Sequence, residues 1–157
     1  IESSSLASGV PASANMPTGS VLQVVNTAYS TQATTSSSSY ADTGLTASIT
    51  PKFTTSKILV FVDMPVLKET NNTSGFFKLV RNSTDLITLD TFAGWTNSTA
   101  GAGVSSLSTN YLDSPATTSS TTYKIQFKSA NGNAIITVNA NGYGAITSTM
   151  TLMEIAA

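Results

Sequence analysis

The sequence predicts an all-β fold: a jelly-roll-like β-sandwich of about nine antiparallel strands behind an extended N-terminal arm. Three observations predict it. Short stretches alternate apolar and polar residues, with turn residues between them about every eight to twelve positions. β-Branched and aromatic residues dominate those stretches. No stretch sustains a helical period. The arm is assigned to residues 1–18 and the sandwich to residues 19–157.

The arm is rich in Ser, Ala and Pro, with Pro11 and Pro17, and has no period. It reads either as a free tail or as a segment laid against a neighbouring subunit. Ser20 to Asn26 carries Val21, Leu22, Val24 and Val25, apolar on both strand faces. Tyr29 to Ser39 is a Ser/Thr stretch without alternation and reads as a loop. Tyr40 to Thr50 places Leu45 and Ile49 inward, and Pro51 ends it. Ser56 to Glu69 is the longest near-continuous apolar run. Both of its faces are largely apolar, so a strand covered on both sides is expected, bending or meeting an edge at Pro65.

Beyond a loop at Thr70 to Ser74, Phe76 to Arg81 alternates. Asn82-Ser83-Thr84-Asp85 is turn chemistry, and Leu86 to Phe92 returns. Ala93 to Gly103, with three glycines and the single tryptophan, Trp95, reads as a long exposed loop. Val104 to Asp113 alternates again. Tyr123, Ile125 and Phe127 alternate with Lys124, Gln126 and Lys128, the pattern of a strand with one wet face. Asn131-Gly132 and Asn141-Gly142 are the strongest hairpin signals, around a strand at Ala134 to Asn139. Ile146 to Ile155 closes the fold.

Composition excludes several functions. Lys plus Arg is 7 and Asp plus Glu is 8, a net charge of −1, and only 10% of residues are charged. A nucleic-acid binder needs a basic field. Ser and Thr fill about a third of the chain, so the surface is rich in hydroxyls. The chain lacks cysteine and histidine, which excludes disulfides, His ligands and His bases. No apolar run approaches the ~20 residues of a membrane helix. The chain opens on Ile1 rather than Met, so a processed, truncated or partial chain is expected, and no basic start precedes an apolar core as in a signal peptide. No cofactor motif is present.

Several segments, taken in order, carry a resemblance. They are Gly19-Ser-Val-Leu-Gln-Val-Val25, Asp42-Thr-Gly-Leu-Thr-Ala-Ser-Ile-Thr-Pro51, Ser56-Lys-Ile-Leu-Val60, Leu79-Val-Arg81, Tyr111-Leu-Asp-Ser-Pro115, Thr122-Tyr-Lys124 and Thr151-Leu-Met-Glu-Ile155. Together they resemble domains in virion structural proteins of tailed phages, especially cyanobacterial and other aquatic phages, often labelled tail-fibre or fibre-like. The resemblance runs from about Gly19 to the end. It implies a virion protein, a homotrimer with other virion proteins as partners, without saying which part of the virion; the particle exterior is the expected location. Such domains often end a longer fibre chain, whereas this chain is short, so a head-fibre or capsid-decoration role stands beside the tail-fibre one. The apolar residues Val21, Leu22, Val24 and Val25 independently suggest a subunit interface.

Eight carboxylates offer chemistry on paper: Glu2, Asp42, Asp63, Glu69, Asp85, Asp90, Asp113 and Glu154. A pair in one cleft would suit glycoside hydrolysis, but structural ion pairs are the plainer reading, and a non-enzymatic protein is expected. Asp63 within an apolar strand calls for a cationic partner, with Arg81 as one option, or for a place facing a subunit boundary. Asp85 and Asp90 would suit calcium, though turn and strand roles are commoner. Sequons begin at Asn71, Asn72, Asn82 and Asn97, as chance provides in such a composition. For binding, Trp95 leads, with Asn97 nearby and Tyr143 as a second loop aromatic. Sugars stack on such rings while amides supply hydrogen bonds, so a host-surface glycan is the candidate ligand. The plainer reading folds Trp95 back as a plug over the sandwich end or into a subunit interface.

Overall fold

The computed structural model describes residues 15–70, 72–97, 101–132, 134–140 and 146–157. Most of the arm, and the Asn141-Gly142 turn, therefore lie outside the described residues. Ten strands follow in order: β1 (Val21–Tyr29), β2 (Ala33–Thr35), β3 (Ala41–Ile49), β4 (Lys57–Lys68), β5 (Thr73–Arg81), β6 (Thr84–Thr96), β7 (Gly103–Asp113), β8 (Thr121–Ser129), β9 (Ile136–Val138) and β10 (Ser148–Ile155). All pair antiparallel, in two sheets. One runs β1-β10-β4-β9-β2 with β7 on the other edge of β4; the other runs β3-β8-β5-β6.

The eight long strands behave as one hairpin rolled on itself. The first pairs with the last (β1 with β10), the second with the seventh (β3 with β8), the third with the sixth (β4 with β7), and the two central strands, β5 and β6, pair with each other. Rolling that hairpin deals its strand pairs alternately into two facing sheets, the arrangement of a jelly roll.

The core lies between the sheets and follows from the period-2 alternation of the strands. Strand β4 turns Ile58, Val60, Val62, Met64 and Val66 inward, and β8 answers with Tyr123, Ile125 and Phe127. Leu45 and Ile49 are inward as expected. The rings of Phe77 and Phe127 stack with centroids 6.1 Å apart.

Three expectations need correction. The outer side of β4 is open: Phe61 and Asp63 are exposed, while Leu59, Pro65 and Leu67 are half-buried. The break in regular pairing expected at Pro65 is present on one side: β10 pairs up to Asp63 and β9 begins at Val66, while β7 pairs straight through on the other. A proline is tolerated there because the ladder already has a gap. The Ser/Thr stretch after Tyr29 contains a short strand, β2, which pairs with β9. Finally, Asn131-Gly132 is no hairpin turn. Both edges of β8 are taken by β3 and β5, so the chain crosses to the other sheet and β9 pairs with β4 and β2.

Gly44 has φ +93°, and a Cβ there would lie 2.4 Å from Cζ and Oη of Tyr29. Gly44→Ala is expected to lower stability by about 2–3 kcal/mol, from overpacking on top of the left-handed strain. Gly19 has φ +87° with nothing within 4 Å of the same atom. Gly19→Ala should cost only about 1 kcal/mol. Urea denaturation of the two variants separates steric overlap from backbone strain.

Candidate functional site

Six carboxylates, Asp42, Asp63, Asp85, Asp90, Asp113 and Glu154, accept hydrogen bonds within the structure. Asp113, buried on β7, accepts from Arg81 Nη1 on β5 at 2.8 and 2.7 Å and from the Tyr123 hydroxyl on β8 at 2.6 Å. This triad ties the two sheets together. Asp63 is exposed and accepts from Ser106 Oγ at 3.1 Å, so Arg81 is not its partner. Buried Glu154 accepts from the Lys52 backbone N–H (2.7 Å) and Gln23 Nε2 (2.6 Å), pinning the β3–β4 connection and β1. Asp85 pairs with Lys78, and Asp90 accepts from the Phe92 N–H. Asp42 accepts from Gln126 and Lys124; burial pushes its pKa up, but these two bonds outweigh that and leave it lowered. No group of three metal-ligating side chains occurs among the described residues.

Burial, and then the Asp113 carboxylate, raise the pKa of the Tyr123 phenol above its ordinary 10.0. The stability this represents is fully present below pH 10 and is lost as pH rises, because the unfolded chain releases that proton first. Unfolding free energy should fall by about 1.4 kcal/mol per pH unit above pH ~10 from this residue alone. Comparison with Tyr123→Phe, which lacks that component, isolates it from the lysines.

The two outer faces of the sandwich differ sharply. Outside the four-stranded sheet stand Lys78, Lys124, Lys128, Gln126 and Asp42, with Lys78 Nζ 4.2 Å from the ring centre of Tyr40. Outside the other sheet, a register-matched row crosses four strands: Val24 on β1, Met153 on β10, Leu59 on β4 and Leu112 on β7. Val21 pairs with Ile155 at one end of this row, and Phe61 follows on the other side of it. Val24 is 54% exposed and Leu112 50%. Among the described residues of these four strands, only Lys57 and Asp63 bring charge to this face. Of the four apolar residues singled out on β1, Val21 and Val24 stand here. Val25 packs against the core instead, and Leu22 is the half-buried extra residue of a bulge.

A second feature lies at one end of the sandwich. Trp95 belongs to strand β6, not to a loop, and it is 54% exposed rather than a plug. Strand β6 carries an extra residue between Ala93 and Thr96 relative to β5, and Gly94 there has φ +66°. Residues three apart on a regular strand point to opposite faces. The bulge re-aims them, so Phe92 and Trp95 line one groove of about 270 Å³ with Phe76, Asn72, Thr73 and Asn131.

The walls of this groove are held firmly. Ser74 Oγ donates to the Thr91 carbonyl, and Asn72 N–H donates to the Asn97 carbonyl. Fully buried Lys68 donates to Thr96 Oγ1 and, at 3.4 Å, to the Gly101 carbonyl; burial lowers its pKa. Asn97 is not in the groove lining and is linked to it through its carbonyl, which accepts from the Asn72 N–H, and Tyr143 lies outside the described residues. Sequence reasoning missed Phe92, Phe76, Asn72 and Asn131. An available signal was Phe92 and Trp95 flanking a glycine in a polar stretch.

No family model matches the chain, and no curated protein matches it. Among solved structures it is similar to a chain of T=1 particles derived from infectious bursal virus, with TM-score 0.39 and 12% identity, covering 86% of this chain and 36% of that one. It is also similar to a chain of the infectious bursal disease virus Gt strain, with TM-score 0.35 and 12% identity, covering 86% and 38%. The chain spans well under half the length of these neighbours, and likeness at this level bears on neither activity nor assembly.

Proposed function

We propose that the chain is a non-enzymatic structural component of a virion exterior, a homotrimeric fibre or tail-fibre domain that contributes to attachment at the host surface. The observation that carries this reading is the apolar band on the outer face of β1, β10, β4 and β7. Four strands at ~4.8 Å spacing and a central strand ~40 Å long make a face of at most ~700 Å², near the ~800 Å² each partner buries in a stable complex. Val24, Met153, Leu59 and Leu112, with Val21, Ile155 and Phe61, form its apolar part, and the register sets Asn26, Thr151, Asn110, Thr149, Ser108 and Ser106 beside them. An exposed apolar band in a nearly uncharged face marks an association site. The occupant is a second copy of the chain. The ordered series of segments that resembles phage fibre domains supports the virion assignment, and the engagement of the carboxylates in structural bonds favours a non-catalytic role.

A second reading, a capsid-decoration or head-fibre protein, shares the same association face and differs in location. Antibody raised to the domain and imaged on intact particles tests both. Label at fibre or tail tips is the expected result. Label spread over the head would replace attachment with decoration, and particles without label would overturn the virion assignment.

A further inference from the structure

We infer that the groove at the end of β6 binds a neutral hexopyranose unit of a glycan, a proposal that rests on the attachment reading and names its ligand. Trp95 and Phe92 are 54% and 70% exposed, so two large rings face solvent within one concavity. Single exposed aromatics are ordinary; two held together by a glycine bulge need an occupant. Asn72 flanks the rings with an amide, which both donates and accepts and so matches vicinal hydroxyls, and Asn131, whose Oδ1 accepts from Ser129 Oγ at 3.4 Å, closes the polar rim.

The lining holds no charged side chain. The cation at its walls is Lys128, whose Nζ is 5.1 Å from the ring centre of Phe76 and is held against that ring, and a neutral ring with its C–H hydrogens gathered on one face fits both the apolar platform and the polar rim. A β-galactopyranoside, whose axial 4-hydroxyl gathers the C–H hydrogens of carbons 3, 4 and 5 on the opposite face, is a suitable probe of that class.

Trp95 is the only tryptophan in the chain, so its emission reports on the groove directly. Titration of the full chain with methyl β-galactopyranoside should shift that emission to the blue and saturate in the millimolar range, as expected for one small ligand. Phe92→Ala keeps the reporter, removes an exposed ring, and should raise the half-saturating concentration at least tenfold. Circular dichroism checks its fold. A linear response without saturation, an unchanged midpoint in folded Phe92→Ala, or tighter binding of sialyllactose than of the neutral sugar would overturn the proposal. So would a blue shift that tracks protein concentration without sugar, since that would make the groove a subunit contact. Label on the particle head together with saturable sugar binding would sink attachment while leaving the groove assignment standing.

Discussion

Asp113→Ala should lower the stability of the domain by about 3 kcal/mol. The carboxylate it removes is the shared acceptor of Arg81 and Tyr123 and joins a strand of one sheet to two strands of the other. Without it a guanidinium and a phenol are left facing each other in the interior. Breaking a buried pair commonly costs about 3–5 kcal/mol, because the surviving charge has lost its partner but not its burial. The lower end applies here: the Arg81 side chain is 23% exposed, so water recovers part of the loss, while Asp113 is at 6%. Chemical denaturation measures the difference. Arg81→Met combined with Asp113→Leu should recover part of it, since an apolar pair leaves no orphaned charge. A loss below about 1 kcal/mol in Asp113→Ala would mean the triad is solvated and not a clamp.

Leu59→Lys should dissociate the assembled protein into folded monomers. Leu59 sits at the centre of the four-strand apolar row, between Met153 and Leu112, with its side chain directed away from the core. A lysine there leaves the core intact but places one cation per subunit in the middle of the association face, where desolvation without a counter-ion is costly. Ile87→Lys is the control: Ile87 is 41% exposed but lies on β6 of the other sheet, and it should leave the mass unchanged. Sedimentation velocity reads the mass, and circular dichroism confirms the strands. Leu59→Lys that stays assembled would place the interface elsewhere on the molecule.

The fold was legible where local rules govern. Strict alternation in Tyr123 to Lys128 named the inward and outward sides of β8, and the apolar inward set of β4 stood out. Glycine misled at β6. Gly94 and Gly103 look like loop residues, yet they permit a bulge and a close approach: a Cβ on Gly103 would collide with the Gly94 carbonyl. The run from Ala93 to Gly103 therefore hides the end of one strand and the start of the next. Asn131-Gly132 misled for another reason. A turn signal states that the chain reverses, not which sheet it rejoins, and that depends on which strand edges are free.

The candidate sites were less legible because they are long-range. Arg81 and Asp113 are 32 residues apart, and Asn72, Phe92 and Asn131 meet only after β5, β6 and β8 are in register. Apolar content marked β1 as a subunit contact, but the bulge at Leu22 decides which of its residues face out.

The mass of the unmodified full chain in solution tests the central claim most directly, namely that this jelly roll is built to associate through the outer face of β1, β10, β4 and β7. Light scattering across a dilution series from the micromolar range upward should give three times the chain mass, stable on dilution. A single-chain mass at every concentration would contradict the account and leave the apolar face without its proposed occupant.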